Sequence, residues 1–195
     1  MGIFNKLFGK NNDDNKVVKT SEMLDEDLYW QIVDESLENS EDQDQQEKLL
    51  IRRLKKLSPT EVIGFRLRTD KLLYDTYNSE MWCAAYIMNG GCSDDGFEYF
   101  RCWVISRGKK VYYNAKANPD TLITTANLDY YEFESFWYVA LEAFKEKNGE
   151  NLYDYIADDF AYREGHYPGI DFTWEEGNPA SMKAICPKLF DKMWR

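Results

Sequence analysis

The chain has 195 residues, 44% of them hydrophobic and 16% aromatic, and a formal charge of -11. That apolar share is enough to bury a core, which excludes wholesale disorder, and the length fits one domain with small extensions. A strongly acidic surface repels a phosphate backbone, which argues against nucleic acid as a partner.

Residues 1–20 read as a flexible tail and linker. Within MGIFNKLFGK, Ile3, Phe4, Leu7 and Phe8 share one helical face, with Lys6 and Lys10 nearby. This face offers at most a weak membrane contact, because it is under three turns long. Position 6 is Lys, so the Met-Gly start does not complete a myristoylation motif. No secretory signal is evident, and no apolar run approaches the roughly 18–20 residues of a membrane span.

From residue 21 to 195 the pattern predicts a single, mainly α, compact multi-helix domain with little or no sheet. LDEDLYWQIVDESL sets Leu24, Leu28, Ile32, Val33 and Leu37 at helical spacing behind a run of acids. Asn39 to Gln46 reads as an acidic loop, and QEKLLIRRLKKL as the next helix. Ser58-Pro-Thr-Glu61 is a capping box with proline at the first helical position, which starts a third helix. MWCAAYIM, from Met81 to Met88, has no polar side and predicts a buried central helix ended by Asn89-Gly90-Gly91. RGKKVYY suggests a brief strand. NPDTL, from Asn118, predicts a short helix, and YYEFESFWYVALEAFKEKNG a long one stopping near Gly149. NLYDYIADDF predicts a further short helix. The tail from His166 reads as loop with one or two short helices. Between Glu22 and Glu47 there are many acids and no Lys or Arg, whereas basic residues prevail from Lys48 to Lys71. These read as oppositely charged solvated faces that pair within the fold.

The densest stretch is GGCSDDGFEYFRCWVISRGKKV, from Gly90 to Val111. Ser93 is the expected cap of a helix whose first turn holds Asp94 and Asp95. Winding that helix places Phe97, Phe100, Trp103 and Val104 on one face, against MWCAAYIM, and groups Asp94, Glu98 and Arg101 on another. Gly96 is unfavourable in a helix by about 1 kcal/mol relative to Ala. Its presence predicts a close approach to the backbone by another helix or by a ligand. Two readings follow. In one, the stretch is a capped amphipathic core helix. In the other, Ser93, Asp94, Asp95 and Arg101 form a pocket at a helix N-terminus, suited to a cation or an amine.

Other chemistry is thin. Adjacent aspartates point about 100° apart and do not share one ion unaided; Asp158-Asp159 is a second such pair. His166 is the sole histidine, and a zinc site or a triad recruits more than its surrounding HYPG offers. The four cysteines, Cys83, Cys92, Cys102 and Cys186, lack metal-type spacing and read as reduced thiols of a cytoplasmic protein. Cys92 adjoins a helix N-terminus, which predicts a lowered pKa. Tyr130, Tyr131, Phe133, Phe136, Trp137 and Tyr138 read as core rather than as a base-stacking platform.

YWQIVDESL, then MWCAAYIMNGGCSDDGFEYFRCWVISRGKKVYYNA, then NPDTL resemble, in order, the bacterial domain-of-unknown-function 4240 family. The resemblance spans roughly Leu24 to Ile156 and implies no particular activity. The sequence calls for no cofactor and no metal. Its leading functional expectation is a non-catalytic module that binds another protein through an acidic surface. The alternative is an enzyme or small-ligand-binding protein with a pocket at the Ser93-Asp94-Asp95 helix start.

Overall fold

The computed structural model describes residues 17–127, 130–163 and 166–194. Ile3, Phe4, Leu7 and Phe8, the expected membrane-touching face, lie outside the described residues.

The chain is helical, as its periodicity predicts. α1 (Glu26–Glu38) starts where Asp25 accepts a hydrogen bond from the Leu28 amide at 3.0 Å. It buries Tyr29, Trp30, Ile32 and Val33, and Tyr29 stacks on Phe65 at 4.5 Å. α2 (Gln43–Leu54) begins three residues ahead of its expected start. Asp42 caps it by accepting from the Gln45 amide at 2.8 Å, so the acidic linker is half helix. α3 (Pro59–Asp75) carries the predicted capping box. The acidic and basic segments pair as expected through Glu35 with Arg53 and Glu26 with Arg68, both at 3.8 Å.

α4 (Ser79–Asn89) is the central helix, and Gly90 ends it in the left-handed region at φ 68°. Its apolar run has no solvated face because α5 (Asp94–Ser106) covers one side and the chain's last two helices, α8 (Pro179–Ile185) and α9 (Pro187–Met193), cover others. Trp82 of α4 stacks on Phe97 of α5 at 4.3 Å. The tail is tied to the start of α4, where the Trp174 indole N–H donates to the Ser79 carbonyl at 2.9 Å.

Two elements differ from expectation. RGKKVYY is not a strand: Lys109–Ala117 forms helix α6. Gly108 precedes it at φ 91°, a region that favours glycine, and the Asp34 carboxylate of α1 accepts the Lys109 amide at 3.0 Å. A carboxylate from a distant helix therefore supplies the cap that the local sequence lacks. YYEFESFWYVALEAFKEKNG is not one helix. Residues 130–133 are not helical, Glu134–Tyr138 is a 3-10 turn, and only Val139–Asn148 is α-helical (α7). NPDTL starts a 3-10 helix, Pro119–Thr124, capped by Asn118, and Leu152–Tyr155 is another. Among the described residues there is no strand, only an isolated parallel bridge between Thr20 and Ile156. Thr20, at the end of the expected linker, is thus joined to the fold, accepting the Ala157 amide at 2.9 Å. No helix of the described residues is long and apolar enough to cross a membrane.

α7 packs on α3 and α2. Behind it lies a buried ion pair that the sequence reading assigned to a solvated basic face. Arg66 and Asp70, 1% and 4% exposed, meet at 2.9 Å. The Arg66 guanidinium lies 4.0 Å from the centroid of the Trp137 ring and donates to the Trp137 carbonyl at 2.9 Å.

Candidate functional site

The Gly90–Val111 stretch resolves as a tight turn and a capped helix. Gly90 and Gly91 both take positive φ, 68° and 142°, which carries the chain from α4 into α5. Ser93 adopts extended backbone, and its hydroxyl accepts the Gly96 amide at 3.1 Å. Asp94 and Asp95 follow, exposed, in the first turn, where the helix dipole favours their charge.

Gly96 has a definite neighbour. A Cβ built there lies 3.0 Å from Glu132 Oε1 and 3.2 Å from Ser93 Oγ. The close approach is made by the chain's own 131–133 segment rather than by another helix or a ligand. That segment is pinned on both sides: the Tyr131 amide donates to Asn89 Oδ1 at 2.9 Å, and the Phe133 amide to the Tyr99 carbonyl at 3.0 Å. The same Glu132 also acts on Cys92. Burial first, and then the Glu132 carboxylate, push this thiol up to about 12, so it is the reverse of an activated nucleophile.

Arg101 is fully buried. Its Nη2 donates to Glu98 Oε2 at 2.6 Å, its Nη1 to the Leu73 carbonyl at 2.6 Å, and its Nε to the Phe97 carbonyl at 3.3 Å. The rings of Phe97, Tyr167 and Tyr77 lie 4.6, 4.7 and 5.0 Å from the guanidinium carbon. Tyr77 and Tyr167 stack at 4.3 Å, and the Tyr167 hydroxyl donates to Glu98 Oε1 at 3.0 Å. This aromatic enclosure holds the cation as part of the core, with donors and faces satisfied. Of the four expected pocket residues, Ser93, Asp94 and Asp95 share the first turn at the surface. Arg101 lies two turns further on, buried, and its carboxylate partner is Glu98; Asp94 forms no ion pair with it.

Of the remaining candidates, Asp158 has charged partners. The Asp158 carboxylate meets Lys19 and Arg163, each at 3.4 Å, and lies below its ordinary pKa through Lys19 chiefly. His166 is exposed. Cys83, Cys102 and Cys186 are buried free thiols. No group of three or more His, Cys, Asp or Glu side chains suited to a metal occurs among the described residues. Within the aromatic set, Tyr131, Phe133, Phe136 and Trp137 are core, whereas Tyr130 and Tyr138 are 58% and 41% exposed.

What the sequence reading missed lies at the start of α2. Glu41, Asp42, Gln43 and Asp44 line a cleft together with Tyr130, and Gln43 and Asp44 continue into a second one with Glu134 and Tyr138. The two hollows form an acidic strip bearing two exposed tyrosines. The alternation of acids and glutamines was visible, but its meeting with residues 130–138 was not.

No curated protein and no solved structure matches the chain. A family described as "Protein of unknown function (DUF4240)" matches residues 24–146, from just before α1 into α7. This span contains α4, α5 and the aromatic enclosure's Tyr77, Phe97 and Arg101, and on it the chain belongs to the DUF4240 family.

Proposed function

We propose that the protein is a non-catalytic binding module that captures a partner with a basic surface. One observation carries the reading: Glu38, Glu41 and Asp44 are exposed, and their carboxylates have no ion-pair or hydrogen-bond partner among the described residues. By contrast Glu26, Asp27 and Glu35 are held by Arg68, Lys109 and Arg53. Carboxylates beside exposed Tyr130 and Tyr138 suit Lys and Arg side chains, which gain an ionic contact and a ring face together. Nucleic acid is excluded as partner in this reading by the charge. A cytoplasmic location accords with four free thiols.

The test compares two triple neutralisations. Glu38→Gln with Glu41→Gln and Asp44→Asn is expected to weaken the isolated partner's binding about tenfold and to flatten its salt dependence. Asp171→Asn with Glu175→Gln and Glu176→Gln removes equal charge elsewhere and is expected to leave binding nearly intact. Equal effects of the two triples overturn the proposal.

The reading of Asp94 and Asp95 as ligand-facing keeps one supporting observation, since both carboxylates are exposed. Asp94→Asn with Asp95→Asn separates the readings. The binding-module reading expects a modest loss of stability alone. Loss of a bound ligand with the fold intact favours the pocket.

A further inference from the structure

Most arginines among the described residues are neutralised locally. Arg53 meets Glu35 at 3.8 Å, Arg66 meets Asp70 at 2.9 Å, Arg68 meets Glu26 at 3.8 Å, Arg101 meets Glu98 at 2.6 Å and Arg163 meets Asp158 at 3.4 Å. Arg52, exposed on α2, and Arg107 are the exceptions among the described residues, and of these only Arg107 is partly buried. It is half-buried at the end of α5, yet it meets no carboxylate among the described residues.

Its position is nevertheless built. Arg107 Nη2 donates to Gln46 Oε1 at 2.6 Å and to Ser106 Oγ at 3.1 Å, and Nε donates to Ser106 Oγ at 3.2 Å. Gln46 is fully buried. Its Nε2 donates to the Ser106 carbonyl at 2.9 Å and to Ser36 Oγ at 3.3 Å, which turns its amide oxygen toward the guanidinium. Nη1 has no acceptor among the described residues. Arg107 lines a cleft of about 550 Å³ with Leu37, Glu41, Asp44, Gln46 and Tyr130. Burial lowers the Arg107 pKa to about 10. The carbonyl end of α5 compensates it in part. An oriented cation, partly desolvated and without a counterion, keeps its Nη1 donors for a carboxylate, since Nε and Nη2 are taken by Ser106 and Gln46.

A bare polyanion does not suit the cleft, because Glu41 and Asp44 share it. The geometry points to a ligand that carries a carboxylate for Arg107 and a cationic group for Glu41 and Asp44. This is the chemistry shared by a free basic amino acid and by a peptide chain ending in Lys or Arg. Leu37 and the face of Tyr130 accommodate the aliphatic stem between the two charges. The cationic half of this assignment rests on the acidic strip proposed above; the carboxylate half stands on Arg107 alone.

Calorimetric titration of the full chain with L-lysine, lysinamide, and Ala-Ala-Ala-Lys with free or amidated C-terminus tests it. The free acids are expected to bind at least ~10-fold more tightly than the amides. Arg107→Gln removes that preference while the helical circular dichroism persists. Should that variant fold poorly, Arg107→Lys keeps the charge but loses the guanidinium that Gln46 and Ser106 hold in place, and is expected to lose most of the preference. Tighter binding of free lysine than of the peptide assigns a small molecule, and the reverse assigns a chain terminus. Equal binding of acid and amide, both weakened by Glu41→Gln with Asp44→Asn, overturns the Arg107 assignment and leaves the basic-partner reading standing. A preference that survives Arg107→Gln, or no binding of any probe, also overturns it.

Discussion

Arg101 and Arg107 belong to the same stretch of α5 and carry their charges in opposite ways. Arg101 faces inward, with a carboxylate, two backbone carbonyls and three aromatic rings around it. Arg107 is anchored from inside by neutral groups, Gln46 and Ser106, and meets the cleft with no carboxylate. Arg66 of α3 follows the Arg101 pattern, with Asp70 and Trp137. The difference separates architecture from recognition. A charge wholly inside must be answered by the chain itself, because an unanswered one costs several kcal/mol. A charge at a cleft tolerates an incomplete environment, because water or a ligand completes it.

That contrast can be broken in order of size. Asp70→Ala removes the buried carboxylate 2.9 Å from the Arg66 guanidinium and is expected to destabilise the fold by about 3–5 kcal/mol in a urea unfolding curve. Glu98→Ala strands Arg101 less severely, since the Leu73 and Phe97 carbonyls remain and Glu98 is 19% exposed; about 2 kcal/mol is expected. If the two losses are equal, burial of the partner is not what sets the cost. Gly108→Ala puts a Cβ against the Asp34 carboxylate and holds alanine at φ 91°. About 2 kcal/mol is expected, together with looser packing of α6 in hydrogen exchange. Ser93→Ala removes the α5 cap for about 1 kcal/mol, a loss confined to stability if the first turn of α5 is structural.

The smallest effect concerns pH. Glu61 accepts from the Ser58 hydroxyl at 2.7 Å and from the Ser58 amide at 2.8 Å. These bonds, the hydroxyl first, hold its carboxyl below the ordinary value of 4.5. A carboxyl whose folded pKa is depressed contributes its full stability above the unfolded value and loses it as pH falls through the lower folded value. Glu61→Gln is therefore expected to reduce the fall in stability as pH drops below the ordinary value of 4.5, leaving stability at higher pH lower by a nearly constant amount. An unchanged acid slope removes Glu61 from the capping role.

Much of the fold was legible because its causes are local. The Ser58 box, the Asn118-Pro119 start, the Gly90 stop and the Ser93 cap each act within four residues, and all four stand where the sequence puts them. The misread or only loosely placed elements have remote causes. α6 begins because Asp34, 75 residues away, caps it. α9 begins with its Lys188 and Leu189 amides, both at 2.9 Å, on the buried carboxylate of Asp120, 68 and 69 residues away. Residues 130–133 leave the helical pattern because Asn89 and Tyr99 offer their backbone better-placed partners. The candidate site divides in the same way. The Ser93 cap and the acids beside it follow from type and spacing, whereas the burial of Arg101 and the isolation of Arg107 do not.

By itself, then, the sequence determined an acidic, all-helical chain, its main starts and stops, and its membership in the DUF4240 family, since propensity, periodicity and capping depend on neighbours a turn away. Only the tertiary structure decided which charges are answered. A guanidinium carries the same unit charge at positions 66, 101 and 107, and its meaning is set by the carboxylates, rings and water that folding brings within a few ångströms of it.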